Sequence, residues 1–193
     1  MVAMPVEEMG PDDRPLTVED LELLPDLGRK YEIDDGLLVM SPAPALGHQI
    51  VVDNLLVALR RACPEEFLVI SGPAVELSET QYRIPDLVVV RAGEVGFHDR
   101  SVLKPPVLAI EVSSPSTAIY DRNRKKDVYA SFGIRSYWIV RPDHQKPRIT
   151  AFELFRRRYR EVAEIDGAET FRPTWPFSCE IVPAELVAGP WQE

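Results

Sequence analysis

Apolar residues recur along the chain at two spacings, one typical of strands and one typical of helices. The two most apolar runs, 86–91 and 107–112, are rich in β-branched residues and are predicted to be central strands separated by a loop. Residues 48–62 carry apolar positions at helical spacing, and a second helix is predicted over about 119–132, with Gly133 as its cap. Residues 136–140 predict a further buried strand.

Turn residues divide the remaining sequence into short elements. Asp35-Gly36 between 31–34 and 37–40 is a strong hairpin signal, and 148–155 with 159–163 suggests a last hairpin. Two more strands, 67–70 and 74–77, flank Gly72-Pro73, and Thr17 begins a capping box for a short helix that ends at Gly28. Beyond Pro173 the pattern defines no element. The order of elements predicts an α/β (α+β) fold, in which a mixed sheet is flanked by helices.

The length of 193 residues favours one domain with a real core, which we place at 15–193 behind a flexible arm at 1–14. The two cysteines, Cys63 and Cys179, lie far apart and form no CxxC pair, so neither a zinc site nor a disulfide scaffold is indicated. The acidic N-terminus lacks the apolar segment of a signal peptide, and no apolar run approaches the roughly eighteen residues of a membrane span. These features predict a cytoplasmic protein that has no membrane partner.

Charge is distributed unevenly along the chain. The net charge of −9 disfavours a nucleic-acid partner, because phosphate binding needs a basic surface. Residues 1–40 hold eleven acids and three bases, whereas residues 121–160 hold twelve bases and four acids. The second segment suits either a solvated basic helix and hairpin or a surface that faces phosphate, and the sequence favours neither.

Each central strand carries one acid at an end. Asp86 opens the first strand after Pro85, and Glu111 lies near the end of the second. If the strands pair antiparallel, both carboxylates meet at one edge of the sheet, where their oxygens suit Mg²⁺ or Mn²⁺. Such a metal would polarise a phosphoryl oxygen, and without it the repulsion between the acids should raise at least one pKa. Alternatively, Asp86 caps a turn and Glu111 pairs with a surface arginine.

A lysine after the second strand is the candidate cation. Lys125 lies four residues after Asp121 and four before Tyr129, on one helix face, from which it would stabilise charge on a phosphate or orient water. The alternative is an ordinary Asp121–Lys125 pair on a solvated face. Lys126, turned about 100° away, is the weaker candidate.

Glu32 in the first hairpin and His48 at the start of the long helix are additional candidates. The alternation of Tyr31 and Ile33 around Glu32 favours instead a solvent-facing strand residue. A lone histidine such as His48 is more often structural than a ligand. The sequence contains no phosphate-binding loop and no HExxH, GxSxG or GxGxxG motif that would offer other chemistry.

Together these residues resemble the Uma2 family, also called DUF820, over about 17–162. The resemblance rests on Tyr31-Glu32-Ile33-Asp34-Asp35-Gly36-Leu37-Leu38, His48, Pro85-Asp86, Glu111-Val112-Ser113-Ser114-Pro115-Ser116-Thr117, Asp121-Arg122, Lys125, Tyr129 and Tyr137-Trp138. That family is similar to PD-(D/E)XK nucleases, so the resemblance implies a restriction-endonuclease-like fold with Asp86 and Glu111 as metal ligands.

The resemblance also implies how the lysine is supplied. In the nuclease pattern a lysine stands two residues after the glutamate, and here that position is Ser113. Lys125 on the following helix matches the family's moved lysine. Two functions therefore remain: a Mg²⁺-dependent endonuclease that hydrolyses phosphodiester bonds in DNA, and a non-catalytic nucleic-acid-binding or regulatory module on a nuclease-like scaffold. Many nucleases of this kind dimerise to cut both strands, which makes a homodimer reasonable.

Overall fold

The structure is a computed structural model that describes residues 14–24, 30–41, 43–113 and 121–189. The predicted arm at 1–14 lies outside these residues except for Arg14, and so does the predicted helix end at Gly28. The motif Ser114-Pro115-Ser116-Thr117 is outside them as well, and of Asp121 and Arg122 only the backbone is described. The predicted domain boundary at 15–193 stays a prediction.

Strands dominate the described residues, and the helices are few. The strands are β1 (Lys30–Asp34), β2 (Leu37–Ser41), β3 (Phe67–Ser71), β4 (Val75–Ser78), β5 (Gln81–Arg83), β6 (Leu87–Arg91), β7 (Leu108–Val112), β8 (Ser136–Arg141), β9 (Arg148–Phe155) and β10 (Arg158–Asp166). The helices are α1 (Leu46–Ala62), α2 (Lys126–Ser131) and α3 (Pro183–Leu186). A π-helical turn, Asp121–Lys125, runs directly into α2, and two 3₁₀ turns span Val18–Leu23 and Ala92–Glu94.

The strands form two sheets, where the sequence predicted one. The larger sheet has the order β10-β9-β8-β7-β6-β3, and the smaller has the order β2-β1-β5-β4. β7 and β8 pair parallel, whereas their neighbours in the larger sheet pair antiparallel, so this sheet is mixed as predicted. β3 and β4, which flank Gly72-Pro73, separate into different sheets.

The two central strands are adjacent and antiparallel, as predicted. Leu87 of β6 pairs with Ile110 of β7, and Val88 pairs with Ala109. All of β7 is buried, and β6 is buried except at Arg91. Because the larger sheet is covered on both faces, these strands read as continuous apolar runs rather than as alternating ones.

Helices cover both faces of the larger sheet. One face packs against α1 through Leu55 and Leu59, and also against Phe177 of the C-terminal segment. The opposite face packs against α2 through Val128 and Tyr129. No helix among the described residues has the length and apolar character needed to cross a bilayer.

The first hairpin, β1–β2, forms around the predicted turn. Asp35 and Gly36 both have positive φ angles, 50° and 79°, as a two-residue hairpin turn requires. A Cβ at position 36 would collide with the side chain of Pro15, so the close approach of Pro15 also requires a glycine there. The hairpin holds Glu32 and Asp34 in a fixed place beside the π-helical turn.

Candidate active site

The pairing of β6 and β7 brings the two predicted acids together. The register that joins Leu87 to Ile110 places Asp86 opposite Glu111 when it is extended by one residue. The backbone N–H of Val112 donates a hydrogen bond to Asp86 Oδ2 at 2.9 Å. Both carboxylates are buried. The two acids therefore lie side by side on neighbouring strands, and their role as metal ligands stays a prediction.

Asp86 is held by an imidazole and an ammonium as well as by the backbone. His48 Nε2, at the start of α1, lies 3.1 Å from Asp86 Oδ2, and the half-exposed Lys30 Nζ lies 3.5 Å from Oδ1. Burial alone would raise the pKa of Asp86, but the hydrogen bond and charge of His48, the charge of Lys30 and the N–H of Val112 together lower it. Repulsion between Asp86 and Glu111 was expected to raise at least one pKa, and the pKa of Asp86 is lowered instead.

Glu111 meets the predicted lysine. Lys125 Nζ lies 3.0 Å from Glu111 Oε2, and the hydroxyl of Tyr129 donates a hydrogen bond to Glu111 Oε1 at 2.8 Å. Burial, followed by the charge of Glu111 and of Glu32, raises the pKa of Tyr129, so its hydroxyl stays a donor. Lys125 is only 8% exposed, which excludes the predicted alternative of a lysine on a solvated face.

Glu32 is buried, so the expectation of a solvent-facing residue is wrong. The backbone N–H of Ile84 donates to Glu32 Oε1 at 2.9 Å, and Lys125 Nζ lies 3.8 Å from the same oxygen. The alternation in β1 is real, because Ile33 packs in an apolar cluster with Leu38. The other face of β1 is covered too, by the π-helical turn, and a strand buried on both faces can hold an acid inside when a cation pairs with it.

Two arginines outside the predicted site residues complete the cluster, and one of them, Arg124, lies in the basic segment that the sequence offered as a phosphate-facing surface. Arg83 of β5 is 0% exposed, and its guanidinium lies 2.5 Å from Asp34 and 3.7 Å from Glu32. Arg124 forms a fork with Asp34, through Nε at 2.9 Å from Oδ2 and the terminal NH2 nitrogen at 2.6 Å from Oδ1. β5 has three residues, too few for its pattern to predict a strand, and the pairs appear only once the two sheets pack.

Acids pair with several bases of the segment 121–160. Arg141 pairs with Asp143, and Arg148 pairs with Glu164 and Asp166. Three other bases, Lys126, Arg157 and Arg158, line an open groove of about 650 Å³ beside α2. The other residues that line this groove are Asn123, Asp127, Ala130, Ser131 and Tyr159. Lys126 Nζ lies 3.9 Å from the centre of the Phe152 ring, so it points elsewhere than Lys125.

The oxygen donors of Asp86 and Glu111 suit Mg²⁺ or Mn²⁺, which need only one or two carboxylates and keep their remaining waters. Asp86 Oδ1 meets only the ammonium of Lys30 among the described residues, so this oxygen is open to a second cation. Within the same residues, no group of three or more His, Cys, Asp or Glu side chains is arranged to hold a metal ion. Asp86 and Glu111 would therefore be the ligands of an ion here, and metal binding stays a prediction.

Comparisons with known proteins agree with this architecture. The model of the Uma2 family, described as "Putative restriction endonuclease", matches residues 18–185. A crystal structure from Anabaena variabilis ATCC 29413, described as "a putative nuclease belonging to DUF820", is similar with a TM-score of 0.73 and 16% identity, over 90% of this chain and 98% of that chain. No curated protein matches the chain. The match to the family model covers most of the sequence, and the chain belongs to the Uma2 family.

Proposed function

We propose that this protein is a Mg²⁺- or Mn²⁺-dependent endonuclease that hydrolyses phosphodiester bonds in DNA. The contact that supports this proposal most is the 3.0 Å distance between Lys125 Nζ and Glu111 Oε2. In nucleases of this pattern the strand supplies the lysine, at the position that Ser113 holds here. In this protein Lys125 reaches the same acid from a helical turn. This contact supports Lys125 as the lysine of the proposed set, despite the departure at Ser113.

Each side chain has a distinct role in the proposed reaction. Asp86 and Glu111 hold the divalent ion, which when bound supplies Lewis-acid polarisation of a phosphoryl oxygen. His48 and the backbone of Val112 fix Oδ2 of Asp86, and Oδ1, which lies 3.5 Å from Lys30 Nζ, would bind the ion. Lys125 orients the attacking water or donates to the negative charge that develops on the phosphate.

DNA would be held by basic residues outside the acid cluster. Lys126, Arg157 and Arg158 line the groove beside α2, and each contact with a phosphate releases counterions from the duplex. The acidic remainder of the surface would restrict DNA to this face. A homodimer would let two copies cut the two strands.

The second candidate is a non-catalytic nucleic-acid-binding or regulatory module. The observation that favours it is the contact of both acids with side chains of the protein, since His48 and Lys30 contact Asp86 while Lys125 pairs with Glu111. A scaffold of this kind keeps its shape without a metal, and shape does not guarantee activity.

Metal binding is tested first, by melting curves with and without Mn²⁺ or Mg²⁺. At a free ion concentration of 100 times Kd the folded state gains about 2.7 kcal/mol, which for a chain of this size raises Tm by about 5–10 °C. Asp86→Asn and Glu111→Gln should each abolish this shift. Lys125→Ala should retain it, because an ammonium is no metal ligand.

Plasmid cleavage with the same proteins then separates the two candidates. Lys125→Ala should bind metal but cleave at least about 100-fold more slowly than wild type. Lys104→Ala is the matched control, because Lys104 is exposed and pairs with Glu94. A wild type that shows neither a metal-dependent shift nor cleavage would leave the non-catalytic module as the function.

A further inference from the structure

Two consecutive residues of the π-helical turn bind two acids of one strand. Arg124 binds Asp34, with Nε 3.1 Å from Oδ1 and 2.9 Å from Oδ2, and Lys125 Nζ lies 3.8 Å from Glu32. Glu32 and Asp34 are two residues apart in β1 and therefore lie on the same face of the strand. This face of the hairpin thus contacts the turn at two successive points.

Glu32 and Asp34 of β1 are also held by an arginine of the neighbouring strand. Arg83 lies on the neighbouring strand β5, in the antiparallel register that pairs Ile33 with Tyr82. Its guanidinium, which solvent does not reach, lies between Asp34 at 2.5 Å and Glu32 at 3.7 Å. Arg124 therefore binds a carboxylate that Arg83 of the smaller sheet also holds.

A lysine on a separate element needs such a fixed contact. A lysine at position 113 would directly follow the strand of Glu111, where the backbone N–H of Ser113 donates to the carbonyl of Val140, and the sheet itself would fix its place. The side chain of Lys125 has four rotatable methylenes and starts from a different element, so its reach depends on where the turn sits. An arginine–carboxylate fork restricts both distance and direction, which a single point charge does not do.

We propose that Arg124, clasped by Asp34, is the positioning residue that sets the Lys125 ammonium between Glu32 and Glu111. The effect of Arg124 on catalysis rests on the proposed function. Its effect on the position of the Lys125 ammonium does not. Arg124 also contacts Asp35, so two acids of the hairpin neutralise it. An arginine that is neutralised in this way is poorly placed to bind a phosphate as well.

The first test compares Arg124→Gln and Arg124→Lys with wild type in plasmid cleavage. Both variants lose the fork, and Arg124→Lys keeps the charge. We expect kcat to fall about tenfold or more in both, because a displacement near 1 Å costs up to about 100-fold in rate, while KM and its dependence on salt stay within about twofold. Arg148→Gln is the control, since it removes a fork to Asp166 on β9–β10, and it should cleave as wild type. A raised KM with a flatter salt slope, and rescue by Arg124→Lys, would show instead that Arg124 contacts DNA.

The second test does not need activity. The amine of each lysine is acetylated with a dilute N-hydroxysuccinimide ester, and the rate at Lys125 is followed by peptide mass spectrometry. Loss of the fork should raise the Lys125 rate about tenfold in both Arg124 variants, with the rate at Lys104 unchanged, whereas Arg148→Gln should change neither. An unchanged Lys125 rate overturns the positioning role, and so does a rise at all lysines together, which marks general unfolding. If wild type does not cleave DNA, the proposed function fails while this arm still decides the positioning role.

Discussion

Neutralising Glu111 should destabilise the protein in the absence of metal. Lys125 is 8% exposed, and its ammonium lies 3.0 Å from Glu111 and 3.8 Å from Glu32. Removing one partner of a buried ion pair typically costs about 3–5 kcal/mol, because the other charge stays buried without compensation. Since Glu32 retains part of that compensation, we expect Glu111→Gln to lower the free energy of unfolding by about 3 kcal/mol. For a chain of this length the loss corresponds to a Tm about 6–12 °C lower.

The measurement is urea unfolding with EDTA present, for wild type, Glu111→Gln, Lys125→Met and the double variant. Lys125→Met removes the ammonium that Glu111→Gln leaves behind, so the double variant should recover about half of the loss or more. If Glu111→Gln is as stable as wild type without metal, or more stable, repulsion among the acids outweighs their pairing. The argument from Lys125 would then be refuted.

Three other changes test neighbouring contacts. Tyr129→Phe removes the hydroxyl that donates to Glu111 and should cost about 1–2 kcal/mol in urea unfolding, because a buried acceptor loses its donor. The pKa of Asp86 is below its usual 3.8 in the folded protein. The contribution of Asp86 to stability is therefore full above about pH 4 and is lost as the pH falls through the lower pKa of the folded state. Asp86→Asn should make the fall in stability with decreasing pH less steep in that range. Arg157→Ala with Arg158→Ala should weaken DNA binding and reduce the slope of log K against log salt by about 1 per lost phosphate contact, and an unchanged slope would remove the groove from the interface.

The sequence was sufficient for those parts of the site that depend on neighbouring residues or on one strand pair. Asp35-Gly36 predicted the hairpin because its turn type demands residues that tolerate positive φ. The β-branched runs predicted β6 and β7, and their antiparallel pairing placed Asp86 beside Glu111. In each case the physical cause lies within a few residues or in one register.

The remaining parts depend on packing between elements that are distant in sequence. Glu32 looked solvent-facing because alternation identifies the apolar face of a strand, but it does not show whether the polar face is covered. Only the packing of Arg83 and Lys125 against β1 allows an acid to be buried there. The C-terminal segment is a similar case, because Phe177 and Ile181 are core residues in a stretch with almost no periodic structure.

Under the proposed function, the parallel pairing of β7 with β8 offers a second location for the lysine. Two parallel strands require the chain to return across a face of the sheet before the second strand begins. Here α2, on that return path, packs on the face that carries Ala109 and, two residues on, Glu111. A lysine at any position of this crossover that lies over Glu111 could therefore bring its ammonium to the acid. A lysine could move in evolution between position 113, which directly follows β7, and the turn position of Lys125 by two point substitutions, with every strand left in place.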